Sequence, residues 1–401
     1  MSYRALFAVP GFARVAGATL LARLSGQMWE IVLVLFVLQR YRSPALAGLT
    51  VLLSVVPGLF FGPIAGALLD RQGRLRLMIV DYVTSAMLSA AIALLSLAHA
   101  LPVPLLLGIV TVLSLTNILS ISGARSLFPL MVPRPLWDRS NGFDTSTYSL
   151  TAIVGPAIAG VLVARFDPER ALLVIGAIVG IAALALIGVR EPIETRPDSS
   201  PLLRTAWKGL VFVVRHASLR GLAISLFVSN LGFGVLPIAI PVIVLRNLHG
   251  SPATVGAVFA VFGVAGFATA LLVGRRNTEG RERNLIATAM AFYVPVLLAF
   301  ALAGNVTEVF LIAVLAGAAG SLINVGIFGL RQRRTDPAWF GRAFAVSLSL
   351  NYAGQPIGSA IAGPVIERSP TIALLYGAAF NVIGAALVIT LIPREPEGQV
   401  G

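Results

Sequence analysis

Long apolar runs separated by short polar punctuation occupy most of the chain. A helix that crosses a bilayer needs about 20 predominantly apolar residues. Twelve runs of that kind can be traced, at 15–38, 45–69, 77–98, 102–124, 144–164, 171–189, 220–245, 253–273, 285–303, 307–330, 343–365 and 371–392. Backbone N–H and C=O groups facing lipid have no water to bond, so each run is expected to be a helix throughout. The first run is too long for a signal-peptide core, holds Arg23 and Glu30, and lacks a small-x-small cleavage site, so it reads as a retained span. The pattern predicts an all-α membrane protein with twelve transmembrane helices.

Composition narrows the function classes. Of the 401 residues, 57% are hydrophobic and 12% charged, and the mean hydropathy is +0.90. Soluble domains carry about 25% charged residues, so a soluble globular fold is excluded. Cysteine is absent, which removes disulfides, iron–sulfur clusters and thiolate zinc sites. The single lysine, Lys208, sits in Thr205-Ala206-Trp207-Lys208-Gly209. That is no Gly-rich phosphate loop, so the chain carries no ATP motor and is not read as an enzyme. His99, His216 and His249 fall far apart in loops; neither a metal site nor a cofactor is expected.

The net charge of +13 is distributed by topology. With an even number of spans both termini lie on one side, and 23 of the 30 Lys and Arg residues fall in segments on that side. The opposite side carries only Arg40, Arg42, Arg165, Arg170, Arg246 and Arg368. The positive-inside rule puts the richer side, and both termini, in the cytoplasm of a plasma (inner) membrane. The basic loops then face anionic lipid, and a nucleic-acid partner, which would need one basic face with interleaved aromatics, is not expected.

One long segment divides the spans six and six: residues 1–189 form an N-terminal bundle, 190–219 a cytoplasmic linker and 220–401 a C-terminal bundle. In the linker Leu203, Trp207, Leu210 and Val214 recur at helical spacing, with Arg204, Lys208 and Arg215 on other faces. This reads either as an amphipathic helix on the membrane surface or as a free solvated linker. The halves also repeat. Shifted by 208, Ser43-Pro44-Ala45 meets Ser251-Pro252-Ala253, and Gly48, Gly58 and Gly66 meet Gly256, Gly266 and Gly274. Shifted by 200, Pro156 meets Pro356, while Thr151 and Gly155 fall on Asn351 and Gln355. Glycines in register mark close helix contacts. Two like-oriented six-helix halves related by an axis along the membrane normal are a secondary-transporter architecture.

The second and third spans are joined by Gly66-Ala67-Leu68-Leu69-Asp70-Arg71-Gln72-Gly73-Arg74-Leu75-Arg76. This resembles the signature loop of the major facilitator superfamily, G-x-L-x-D-R-x-G-R-R/K, with the last basic residue one place late. Asp70 can sit near a helix N-terminus, where a negative charge is favourable, and Arg71 or Arg74 can pair with it. The resemblance implies the major facilitator fold, two pseudo-symmetric six-helix bundles; a monomer is expected. It further implies that Gly66, Asp70, Arg71, Gly73 and Arg74 form a cytoplasmic gate, with Asp70 engaging the start of span eleven near Phe340-Gly341-Arg342. The second copy, Gly274-Arg275-Arg276 to Gly280-Arg281, lacks the aspartate. In span five, Thr151 to Gly160 resembles the drug–proton antiporter motif G-x-x-x-G-P-x-x-G-G, keeping Gly155, Pro156 and Gly160. The segments Arg125–Gly142 and Arg331–Phe344 are similar to those of the macrolide and siderophore exporter branch.

Ionisable and amide residues inside spans are candidate functional groups. Arg23, Gln27 and Glu30 share one face of span one. Glu30 lies nine residues before the outer end near Gln39, about 13 Å deep at 1.5 Å per residue. Either its carboxylate lines an aqueous cavity and couples protons to transport, or it makes a structural ion pair. Arg23 leans toward the N-terminus, away from Glu30, so a direct pair between them is awkward. Asn117, Asn230 and Asn324, together with Asn351 and Gln355 in span eleven, either orient a ligand in an apolar pocket or bond neighbouring helices; in the family, spans one, four, seven and ten face the cavity. Asp81 and Asp144 are placed near cytoplasmic helix ends, with Asp144 at the start of helix five and Asp81 able to answer a loop arginine. Pro237 and Pro241 are expected to kink span seven.

The expected function is proton-coupled export of small apolar or amphipathic molecules by alternating access. The competing readings are a proton-coupled nutrient importer and a lipid flippase of the same fold. Partners are the small-molecule substrate, protons and the lipid bilayer.

Overall fold

The computed structural model describes residues 3–191, 210–275, 277–335 and 340–394, and no side chain of 340–350 or 352 enters the description. The linker residues Leu203, Arg204, Trp207 and Lys208, the side chains of Phe340 and Arg342, and Arg276 therefore lie outside the described residues.

A short helix α1 (Tyr3–Phe7) precedes α2 (Phe12–Arg40), α3 (Pro44–Gln72), α4 (Arg74–Leu97), α5 (Val103–Met131) and a 50-residue α6 (Trp137–Leu186). The apolar pattern had α6 as two spans. It is bent at Asp167, whose φ of 67° is left-handed and is followed by Pro168, so spans five and six are its two arms. Span seven is split into α7 (Ala217–Phe233), α8 (Leu236–Val242) and a π-helical turn, Ile243–Asn247. Then follow α9 (Pro252–Val273), α10 (Glu282–Leu302), α11 (Val306–Arg334), α12 (Phe340–Arg368) and α13 (Pro370–Leu391). All twelve expected spans are thus helical, and no strand occurs among the described residues.

Several helices outrun their apolar runs. α5 continues to Met131 and α6 begins at Trp137 rather than at residue 144. Hydrophobic runs report the thickness of the hydrocarbon layer, whereas backbone hydrogen bonding carries a helix on into the polar zone. End chemistry marks several of the boundaries. On the sparsely charged side, Ser251 caps α9, Asn305 caps α11 and Ser369 caps α13, each accepting the backbone N–H three residues on. Gly73, at φ 89°, makes the tight turn between α3 and α4 on the basic side. Arginines meet exposed carbonyls at C-termini. Arg14 donates to the Ala185 and Ile187 oxygens after span six, and Arg334 to those of Pro393 and Arg394 after span twelve.

By its contacts the chain divides into two compact units, Met1–Phe36 with Leu53–Leu202, and Val37–Leu52 with Leu203–Gly401. The beginning of span two thus belongs with the second unit. In the first unit α4 packs on α5 and α6; in the second α10 packs on α11 and α13, and α13 and α12 pack on α7. The repeated glycines sit at equivalent crossings. A Cβ on Gly58 of α3 would overlap the Ser114 carbonyl oxygen of α5, and one on Gly266 of α9 would lie 3.2 Å from the Gly317 oxygen of α11. Between lipid-facing helices, where no hydrophobic force favours association, such close approach supplies the packing that does.

Candidate functional site

Arg23 lies seven residues, about two helical turns, from Glu30 toward the basic end of α2 and turns toward span five. Its guanidinium pairs with the Asp144 carboxylate at 2.6 Å and also donates to the Asp144 carbonyl oxygen (2.9 Å) and to the Thr147 hydroxyl (2.8 Å). Asp144 does not begin its helix: it stands two turns inside α6, and that depth is what brings it level with Arg23. The two side chains are only 17% and 25% exposed, so each charge depends on the other for solvation.

One turn above Arg23, α2 and α6 touch. A Cβ on Gly155 would come 2.6 Å from the Gln27 Cβ, so this position admits no larger residue without separating spans one and five. Gly155, Pro156 and Gly160 are all buried, as a helix-contact motif should be. Thr151 closes its hydroxyl back onto the Thr147 carbonyl. Glu30 follows on the same face of α2. It is uncovered by protein, and among the described residues its carboxylate has no hydrogen-bond or ion-pair partner.

Glu30 is not the only acid within a span. Asp81 is 1% exposed inside α4, close to the Ser85 hydroxyl at 3.3 Å and faced by Thr116 and Ser120 of α5. The expectation that it answers a loop arginine fails, because two turns of helix carry it away from the loop into a hydroxyl-lined interface. Ser85, one turn on from Asp81 in α4, and Thr116 and Ser120, one turn apart on α5, could have signalled this.

The amides divide into two groups. Asn230 donates to the Asn351 carbonyl oxygen at 2.8 Å, tying span seven to span eleven, and Asn351 is buried. Asn117, Asn324 and Gln355 are uncovered by protein on α5, α11 and α12. Asn381, which sequence reasoning passed over, is fully buried and accepts from Ser229, joining spans twelve and seven. The break in span seven falls at Gly234 and Val235, ahead of Pro237. There the Gly234 oxygen, freed from the helix ladder, accepts the Ser359 hydroxyl at 2.7 Å. A Cβ on Gly234 would itself sit 2.5 Å from the Ser359 nitrogen.

At the loop between spans two and three, Arg74 is buried and central. It pairs with Asp70 at 3.3 Å and Glu191 at 3.5 Å and donates to the Ser126 hydroxyl at 3.1 Å. Asp70 itself does not occupy the N-terminus of α4. That place belongs to Glu191, whose two oxygens accept the Arg74 and Leu75 amides at 3.0 Å each. Arg71 points outward, Gly66 is half-buried, and Gly73 makes the turn beside Glu191. The second half has no aspartate at the corresponding place, but it does have an acid. Glu282, 208 residues after Arg74, begins α10, is buried, and pairs with Arg333. Among the described residues no group of His, Asp and Glu is arranged to hold a metal ion.

Comparison with known proteins agrees with this architecture. Over 95% of this chain and 99% of its own, the solved nucleoside transporter NupG superposes with a TM-score of 0.76 at 12% identity, a likeness of fold. The uncharacterised MFS-type transporter y4rN of Sinorhizobium fredii is 37% identical over 399 residues, 98% of each chain. The multidrug efflux pump Tap of Mycobacterium tuberculosis is 27% identical over 95% of this chain and 93% of its own. Macrolide efflux protein A of Streptococcus pyogenes is 22% identical over 84% and 85%. The model of the transmembrane secretion effector family matches residues 2–399. With twelve helical spans, a loop signature built around Arg74 and relatives along its whole length, the chain belongs to the transmembrane secretion effectors, a family of major facilitator transporters.

Proposed function

We propose that this transporter exports small apolar or amphipathic molecules in exchange for protons, by alternating access, as a monomer in the plasma membrane with both termini in the cytoplasm. The observation that carries the reading is the similarity to a multidrug efflux pump over 95% of the chain and to a macrolide efflux protein over 84% of it.

The side chains of the first unit are consistent with it. Arg23 is neutralised by Asp144, so the region around it presents little net charge to a substrate. That suits apolar and amphipathic cargo rather than a strongly acidic one, which would call for an unpaired cation. Glu30, without a partner among the described residues, is free to exchange a proton with water on whichever side it faces. In exchange, a proton taken up outside is released inside as the transporter returns from delivering its cargo. Asn117, Asn324 and Gln355 supply uncovered amides that orient polar groups on an otherwise apolar ligand. Asn230 serves chiefly to hold spans seven and eleven together.

The test is transport by the purified protein in proteoliposomes under an imposed pH gradient, with dyes, macrolides, siderophores and lysolipids offered in turn. Movement of at least one class against its own gradient, abolished by a protonophore, is the expected result. If none accumulates, the exporter reading fails.

A further inference from the structure

The repeat contains one unequal pair. Ser251-Pro252-Ala253-Thr254 starts span eight with a complete capping box: the Ser251 hydroxyl accepts the Thr254 amide at 3.2 Å, and the Thr254 hydroxyl receives the Ser251 amide at 3.4 Å. The equivalent start of span two reads Ser43-Pro44-Ala45-Leu46. Ser43 still accepts the Leu46 amide at 3.1 Å, but Leu46 has no hydroxyl with which to complete the box. A carboxylate from another helix intervenes. One oxygen of Glu367, in the last turn of α12, accepts both the Ser43 hydroxyl (2.6 Å) and the Ala45 amide (3.1 Å).

Around this contact the backbones are in near contact. A Cβ on Gly363 would lie 2.5 Å from the Pro44 oxygen, and one on Gly48 would overlap the Ser359 carbonyl and lie 3.1 Å from the Ala360 Cα. Arg246, after span seven, donates to the Arg42 oxygen at 3.0 Å. Residues 37–52 accordingly cluster with the second unit although the rest of spans one and two clusters with the first.

We propose that Glu367 is a clasp of the transport cycle, a borrowed helix cap that holds the start of span two against the end of span eleven and must be released for the side opposite the basic loops to open. The first copy of the repeat lacks its own reciprocal cap, so the favourable interaction of a carboxylate with a helix N-terminus is available only while the two helix ends are together. The second copy, capped by its own threonine, has no such dependence. This rests on the alternating-access reading, since a fixed channel would have no use for a releasable cap.

The test needs neither substrate nor gradient, so it can fail while transport stands, and transport can fail while the clasp stands. Ala360→Cys places a single thiol beside Gly48 in a chain that has no other. Its labelling by an impermeant maleimide reports opening. Glu367→Ala should raise the labelling rate about two- to fivefold, in keeping with the strength of a charge at an exposed helix terminus. Adding Leu46→Thr supplies the missing half of the capping box without restoring the tie to span eleven. In that double variant the rate should stay raised while the unfolding temperature remains at the wild-type value. Wild-type labelling in both variants would overturn the proposal. So would a rise in Glu367→Ala that Leu46→Thr reverses, because the carboxylate would then act only on helix stability.

Discussion

Arg23 and Asp144 face one another across spans one and five at 2.6 Å, and their pairing leaves Glu30 alone on the helix that it shares with Arg23. The spacing of the three polar residues on α2 invites a single functional cluster. The fold instead divides them, giving the cation a partner on α6 and the acid none among the described residues.

That division can be measured by a double-mutant cycle. Asp144→Asn alone leaves Arg23 without its counter-charge and should destabilise the protein by about 2–4 kcal/mol, somewhat below the cost of breaking a fully buried pair. Arg23→Gln with Asp144→Asn should recover more than half of that loss. Thermal unfolding in detergent, followed for both single variants and the double, gives the coupling. Additive losses would show that the pair contributes nothing.

Glu30→Gln should bind substrate and fail to accumulate it, because the amide keeps the size and hydrogen bonding of the carboxylate but cannot cycle charge. Glu30→Asp, shorter by one methylene, should keep part of the activity. Binding measured by quenching of the four tryptophans, set beside uptake under a pH gradient, separates the two effects. Accumulation by Glu30→Gln at the wild-type rate would pass the coupling role to Asp81 or Asp144.

Two acids meet at Arg74 and should behave differently. Glu191→Gln removes charge from a carboxylate bonded to two helix amides and to Arg74, and should lower stability by about 1–3 kcal/mol. Asp70→Asn, at a more exposed acid with 46% of its side chain accessible, should cost less than 1 kcal/mol of stability. Its expected effect is on the gate, a several-fold shift toward inward-open forms in spin-label distances across the cytoplasmic side. Equal melting losses for the two variants, with unchanged distances, would contradict both roles.

Topology is open to direct labelling because the chain has no cysteine. Thr278→Cys, between spans eight and nine, should resist an impermeant reagent applied to intact cells and react once the membrane is opened. Arg246→Cys, between spans seven and eight, should react from outside. The reverse pattern would invert the orientation inferred from the basic loops.

The apolar runs by themselves determined that the chain is a bundle of membrane helices and how many spans it has, because lipid leaves a backbone no alternative to internal hydrogen bonding. The loop from Gly66 to Arg76 pointed to the superfamily, and the repeated glycines marked helix crossings such as those of Gly58 and Gly266. Local pattern could not determine which polar group answers which. Arg23 and Asp144 are 121 residues apart, Arg74 and Glu191 117, and Ser43 and Glu367 324. Such pairs are chosen by the register in which helices pack, and a shift of one residue turns a side chain by about 100° around its helix. The same reason moved Asp81 from a loop end into a buried interface and put Glu191, at the edge of a presumed linker, on the N-terminus of α4. Helical periodicity places a residue on a face; only the packed neighbour decides whether that face meets a partner, another helix or open space.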